Sequence, residues 1–260
     1  MKTVPVKLKK QLLLLADKYE TKEFLADDPS QFMHRYSKGR DQEVIAFIAA
    51  NLAFGRRDQI LSHVEAICSS IRQDAENSPA EWIENSAYKK LFTLGGSSFY
   101  RMMSHDTMLL LCDRLRELLR EHNSFGSAVK FAWLQREEGV LFLHETIASL
   151  FPKECSIISH GRNSSSKRLQ MFLRWMVRNS SPVDLGLWSS WYDRKNLLMP
   201  LDTHVMQEAV RFGLLEKTSS GKIPSPSLKV AVSLTQTLAQ VFPDDPVRAD
   251  YALFGLGVDA

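Results

Sequence analysis

Val44-Ile45-Ala46-Phe47-Ile48-Ala49-Ala50-Asn51-Leu52-Ala53-Phe54 is apolar on every side of a 3.6-residue turn. A helix of that kind belongs at the centre of a core. Gly55-Arg56-Arg57-Asp58 ends it, and Ile60 to Ile71 repeats apolar residues at helical spacing. Upstream, Asp41 marks the start of the core helix, Asp27-Asp28-Pro29-Ser30 is a turn before a short helix near 31–36, and residues 7–20 form an amphipathic helix.

The same reading holds downstream. Ser78-Pro79 starts a short helix carrying Trp82, and Gly95-Gly96-Ser97 is a loop. Asp106 and Ser124 are in position to cap two further helices, and a third runs over about 138–150 before Pro152. Helices are then expected over 167–178, 203–212, from Ser227 to before Pro243, and from Asp245-Pro246 to the end. Residues 183–199 read as irregular, and no stretch alternates as a strand should. The expected fold class is all-α: two helical subdomains with a cleft between them, one spanning 41–182 and ending in a hairpin-like segment 157–178, the other made of 1–40 with 183–260.

Composition narrows the function classes. The 260 residues carry a net charge of +3, 44% hydrophobic and 24% charged residues. This suits an ordinary folded protein and permits a nucleic-acid partner without requiring one. Cys68, Cys112 and Cys155 are scattered and odd in number, which fits free thiols in a reducing compartment and excludes a four-cysteine cluster built by this chain alone. The apolar run Leu12–Leu15 is too short for a signal segment or a membrane span, so no membrane partner and a cytoplasmic location are expected. The seven histidines show no paired metal spacing, so neither a catalytic metal nor a cofactor is expected.

Two segments carry chemistry. In Ser164-Ser165-Ser166-Lys167-Arg168-Leu169-Gln170-Met171-Phe172 the serines are placed to cap a helix whose first turn holds Lys167. A helix N-terminus disfavours a cation, and apolar neighbours act in the same direction, so this placement favours the neutral amine that a nucleophile needs. In Leu198-Met199-Pro200-Leu201-Asp202-Thr203-His204-Val205 an aspartate sits where a helix begins, and amide N–H groups there stabilise a carboxylate. Each has a plainer reading: Lys167 as a solvated charge, Asp202 as a cap alone, His204 as a structural residue.

Pro200–Val205 resembles the aspartate motif of the helix-hairpin-helix DNA glycosylase superfamily, and Ser166-Lys167-Arg168 ahead of an apolar helix resembles the end of that family's hairpin, where bifunctional members carry a catalytic lysine. The 35 positions between Lys167 and Asp202 are more than in endonuclease III-like enzymes and nearer the archaeal 8-oxoguanine DNA glycosylase branch. The whole chain also resembles a bacterial family catalogued only as of unknown function, most clearly at Lys167–Arg178, Pro200–Val205 and Asp245–Gly257. Where the superfamily has a Leu-Pro-Gly-Val-Gly-type turn, this chain has His160-Gly161-Arg162-Asn163-Ser164-Ser165-Ser166 with one glycine.

The resemblance implies base excision on damaged duplex DNA by a monomer, with 8-oxoguanine as the candidate base, Lys167 as nucleophile and Asp202 as the stabilising carboxylate. It places Asn51, Gly55, Arg56 and Gln59 in a DNA- or base-contacting region, and Phe254 in the base pocket; Arg56 and Arg57 also form a cationic pair able to bracket phosphates. Arg162, Ser165 and Arg168 fall on the phosphate-holding turn. Arg174 and Arg178 extend that cationic cluster, and Trp188 with Trp191 are candidate stacking platforms, although tryptophans there also suit a core. Two other readings stay open: a catalytically inactive nucleic-acid-binding protein of the same fold, and a helical protein- or ligand-interaction domain.

Overall fold

A computed structural model describes residues 3–95 and 97–259. Gly96, in the expected glycine loop, lies outside the described residues, as do Met1, Lys2 and Ala260. The described chain is predominantly helical. Its α-helices in order are α1 Val6–Tyr19, α2 Gly39–Leu52, α3 Arg57–Asp74, α4 Pro79–Glu84, α5 His105–His122, α6 Phe125–Leu134, α7 Leu143–Ser149, α8 Lys167–Val177, α9 Thr203–Arg211, α10 Leu228–Leu238 and α11 Ala249–Asp259. Short 3-10 helices include Pro29–Arg35 and Pro246–Arg248. The chain divides into two units, 25–160 and the pair of segments 3–24 with 161–259. The divisions fall at 24/25 and 160/161, and the expected bounds are 40/41 and 182/183.

The 25–160 unit is built round α2. Residues 44–52 are wholly buried, as an all-round apolar helix requires. Phe47 packs on Phe125 and Phe151, with ring centroids 4.5 and 5.3 Å away. The polar residues of α2 tie neighbouring helices to it. Asp41 does not cap its own helix; it accepts from Ser78 Oγ (2.7 Å) and Ala80 N (3.0 Å) at the start of α4. Glu43 accepts from the Gly126 N–H in the first turn of α6 at 2.9 Å. Such side chains satisfy helix-end amides that a buried terminus would otherwise leave unpaired.

Ser78 and Ser124 cap α4 and α6 as expected. At α5 the cap is Ser104, with Asp106 in the first turn where an acid favours the helix end. The helix expected over 138–150 starts only at Leu143, where the Glu145 side chain reaches back to Phe142 N. The expectation of no strands is corrected by a small antiparallel hairpin, β1 Ser98–Tyr100 with β2 Met103–Ser104. Strands of three and two residues are too short for any alternation to register.

In the other unit α11 packs against both α1 and α9. Gly257 permits the second contact, because a Cβ there would sit 2.8 Å from His204 Cβ. Among the described residues no helix is long and apolar enough to cross a membrane.

Candidate functional site

Lys167 is the first residue of α8 and Asp202 is the N-cap of α9. The Asp202 oxygens have separate tasks: Oδ1 accepts the Val205 N–H at 2.8 Å, and Oδ2 lies 3.9 Å from Lys167 Nζ. The cap bond therefore fixes the carboxylate's orientation while leaving one oxygen facing the amine. Both side chains are partly open, 32% for Lys167 and 14% for Asp202.

The turn before α8 is built differently from the sequence expectation. Ser166 is in the left-handed region at φ 47° and makes no side-chain cap bond. The turn is held instead by Ser164 N–H to Gly161 O (2.9 Å), Ser166 N–H to Ser164 Oγ (3.1 Å) and Leu228 N–H to Asn163 O (2.9 Å). Here the serines shape a loop, and the helix hydrogen bonding starts with the Gln170 N–H donating to the Ser166 carbonyl at 3.0 Å.

Behind the pair lies a buried polar layer. Lys167, Gln170, Arg174 and Arg178 follow at steps of three, four and four, which puts them along one face of α8. All but Lys167 are almost completely buried. Gln170 Nε2 has no hydrogen-bond partner among the described residues. Arg174 donates to Asp184 Oδ1 at 3.3 Å and, more closely, to Asp250. Arg178 donates to Asp184, to both Asp245 oxygens at 2.8–3.0 Å, and to Glu20 Oε1 at 2.8 Å. Arg248 continues the chain of pairs through Glu20 and Asp17, each at 2.7 Å. The Arg174 and Arg178 guanidinium groups also lie over the Tyr251 ring, at 4.4 and 5.3 Å.

Electrostatics connect this layer to the pair above it. Burial raises the Asp250 carboxyl from its ordinary 3.8 to about 6; Arg174 opposes the rise, the Asp202 charge adds to it, and Lys167 opposes it. Asp184 is likewise raised by burial, against Arg174 and Arg178. Glu20 ends below the ordinary range, because Arg178 and Arg248 together outweigh its burial. Asp250 thus senses the charges on Lys167 and Asp202, and holds a proton nearer neutrality than an exposed aspartate would.

The other sequence candidates sort by burial. Arg162 is exposed, Ser165 is buried, and Arg168 is half-buried, its guanidinium pulled below the ordinary value by desolvation. Phe254 is half-buried with its ring edge-on to His204 at 6.0 Å, one helical turn from Asp250. Three readings need correction. Trp188 is 1% exposed and wedged against Phe172 and Trp191, both at 5.3 Å, so it is a core anchor with no face open to a base. Asn51 is wholly buried, its Nδ2 donating to Phe47 O at 2.9 Å, and cannot reach DNA. Arg174 and Arg178 bind carboxylates inside the protein and cannot bracket phosphates.

In the 25–160 unit Arg56 is exposed and forks onto Asp58 at 2.7 and 3.1 Å, Arg57 is half-buried and Gln59 is exposed. Asp250, which the sequence offers as a helix-helix hydrogen-bonding residue, joins α11 to α8 through Arg174; the role of Arg174 beneath the pair is not read from the sequence, although the 167–170–174–178 spacing is a usable signal. Among the described residues no group of three or more His, Cys, Asp or Glu is placed to hold a metal ion.

Fold and site define a helical protein whose surface lysine–aspartate pair stands on two helix N-termini over a buried charge layer. The chain belongs to the DUF2400 family, described as a protein of unknown function, which matches it over residues 28–259. Neither the curated proteins nor the solved structures gave a match to it.

Proposed function

We propose that the protein excises a damaged base from duplex DNA and nicks the strand through a Schiff base, with Lys167 as nucleophile, Asp202 as its carboxylate partner and 8-oxoguanine as the candidate base. The observation that carries this reading is the 3.9 Å separation of Lys167 Nζ and Asp202 Oδ2 on two helix N-termini. A catalytic contact of this length in the free protein tightens when substrate is bound.

The chemistry balances on these two side chains. The Lys167 ammonium gives a proton to Asp202 Oδ2, directly or through one water, and the amine attacks the sugar C1′ of a nucleotide turned out of the duplex. As the N–C1′ bond forms, the bond from C1′ to the base breaks and the base leaves with the electron pair. Asp202 passes that proton to the departing base, and the carboxylate so restored stabilises the positive charge left at the sugar and the attacking nitrogen. The carboxylate takes a proton from the Lys167 nitrogen and returns it to the ring oxygen O4′ as the C1′–O4′ bond breaks, which gives the protonated imine; loss of a C2′ proton then expels the 3′ phosphate.

Borohydride reduction in the presence of duplexes carrying 8-oxoguanine, uracil or an abasic site tests the reading. A covalent protein–DNA adduct is expected, absent in Lys167→Ala. An adduct that persists in Lys167→Ala refutes the assignment of the nucleophile. Duplex binding with no adduct on any substrate points to a binding protein instead.

A further inference from the structure

Four polar side chains share one face of α8, and three of them have partners. Lys167 faces Asp202, while Arg174 and Arg178 are each held by carboxylates. Gln170 stands between them and is 2% exposed. Its side chain makes no hydrogen bond among the described residues, and its Nε2 is wholly shielded from solvent. The oxygen is not shut off in the same way, so the amide lies with its nitrogen inward and its oxygen toward water.

An amide left in this state is costly, because folding has taken its donor out of water and given nothing in exchange. An apolar side chain of the same size would fill the position without that loss. The arrangement suits an acceptor that arrives with a ligand, and the open end of the same face is the Lys167–Asp202 pair, 32% and 14% exposed. Three residues of helix separate Gln170 from Lys167, a rise of about 4.5 Å. A base bonded to the sugar carbon at Lys167 spans that distance, and its far edge meets the inward N–H2 group. In guanine-, hypoxanthine- and uracil-type bases the exocyclic atom there is a carbonyl oxygen, which accepts, and the neighbouring ring N–H donates to the amide oxygen. In adenine and cytosine the same places carry an N–H2 group and a bare ring nitrogen, so both contacts are mismatched.

We propose that Gln170 is a specificity-determining residue that reads the edge of the base turned into the site, giving its Nε2 hydrogen to a carbonyl oxygen and accepting the ring N–H on Oε1, so that keto bases are bound in preference to amino bases. The inference rests on the base-excision reading above and adds to it the class of base, to which 8-oxoguanine belongs. Every residue it uses lies in the same unit of the chain.

Fluorescence anisotropy with the full chain tests it, on duplexes holding hypoxanthine or adenine, and uracil or cytosine, each opposite a non-pairing hydrocarbon base analogue. A 2′-fluoro sugar under each base blocks its removal, so that binding alone is read. Within each pair the two bases differ at the edge in question and hardly at all in shape. Wild type is expected to bind hypoxanthine over adenine, and uracil over cytosine, by roughly tenfold or more, the scale of two matched hydrogen bonds to a base edge. Gln170→Met keeps the length of the side chain and removes the amide, so both ratios should fall to about one while thermal stability holds or rises. A merely structural role would weaken binding to all of these duplexes alike and leave the ratios standing.

Equal or reversed preference in the wild type would overturn the assignment, and so would a preference that survives in Gln170→Met. A borohydride adduct on an abasic duplex, lost in Lys167→Ala, would in either case leave the lysine reading standing. A keto preference abolished by Gln170→Met, with no adduct formed by the wild type on any substrate, would support Gln170 and sink the lysine chemistry. Absence of any duplex binding by the wild type would defeat both.

Discussion

Asp250→Asn turns the buried layer into a pH measurement. Asp250 sits in the first turn of α11 with its carboxyl buried against Arg174, and burial lifts it from 3.8 to about 6 despite that partner. The folded protein therefore binds this proton more tightly than the unfolded chain. The stability it contributes is fully present below about pH 3.8 and is lost as pH rises through about 6. At about 1.36 kcal/mol for each pH unit between the two values, the whole effect is about 3 kcal/mol, half of it gone by about pH 5.

Asn has the shape of the protonated carboxyl and does not titrate. Urea unfolding of both proteins should therefore show the variant gaining on the wild type by about 2 kcal/mol between about pH 4 and about pH 7. The difference is the right quantity, because His144 works in the opposite sense. Its burial lowers it from 6.5 to about 4, so the neutral ring's contribution is lost as pH falls through that value. His144 is present in both proteins and lies in the other unit, so it cancels in the difference. Parallel stability curves for wild type and Asp250→Asn would refute the argument that burial, rather than Arg174, sets this carboxyl.

Arg178→Met leaves Asp184, Asp245 and Glu20 without a guanidinium that touched all three, and should lower stability by about 3–5 kcal/mol, the range for breaking a buried pair from one side; a loss under about 1 kcal/mol in chemical denaturation would show that the layer is wetter than its geometry implies. Asp202→Asn keeps an N-cap oxygen for Val205 and should change stability by a few tenths of a kcal/mol, whereas Asp202→Ala should cost about 1 kcal/mol. Both should abolish strand nicking, so retained nicking in the stable Asn variant would reduce Asp202 to a cap.

The sequence was most legible where one physical rule acted alone. The all-round apolar run forms the buried central helix over 44–52, while Ala53 and Phe54 lie past its end with Phe54 45% exposed, and Ser78-Pro79 and Ser124 mark starts through local hydrogen bonding. The serines at 164–166 misled because a hydroxyl can bond its own loop as readily as the helix that follows, and at Ser166 the left-handed backbone rules out the cap geometry. Arg174 and Arg178 looked like phosphate ligands because their carboxylates come from Glu20, Asp184, Asp245 and Asp250, three of them 67 or more positions away in the chain. Asn51 and Trp188 were misplaced for the same reason: a polar or amphipathic side chain does not reveal from sequence whether its partner is solvent, ligand or its own core.

The 35 positions between Lys167 and Asp202 have a physical reason in the same layer. Helix α8 carries the chain about 16 Å away from Lys167 at 1.5 Å per residue, so the chain must come back before an aspartate can face that amine. The return is mostly non-helical and starts by folding onto the last turn of α8. The N–H groups of Leu185 and Gly186 bond to Trp175 O, and that of Trp188 to Met176 O. This fold-back places Asp184 between Arg174 and Arg178, bonded to both. Farther on, Met199 N–H is fixed by Thr235 Oγ1 at 2.9 Å, three residues before Asp202. A shorter connection could still bring an aspartate to Lys167, but it would omit the carboxylate that joins the two buried guanidinium groups. The long gap and the buried layer are therefore one construction: the segment that spaces the two motifs is also the one that supplies the link beneath them.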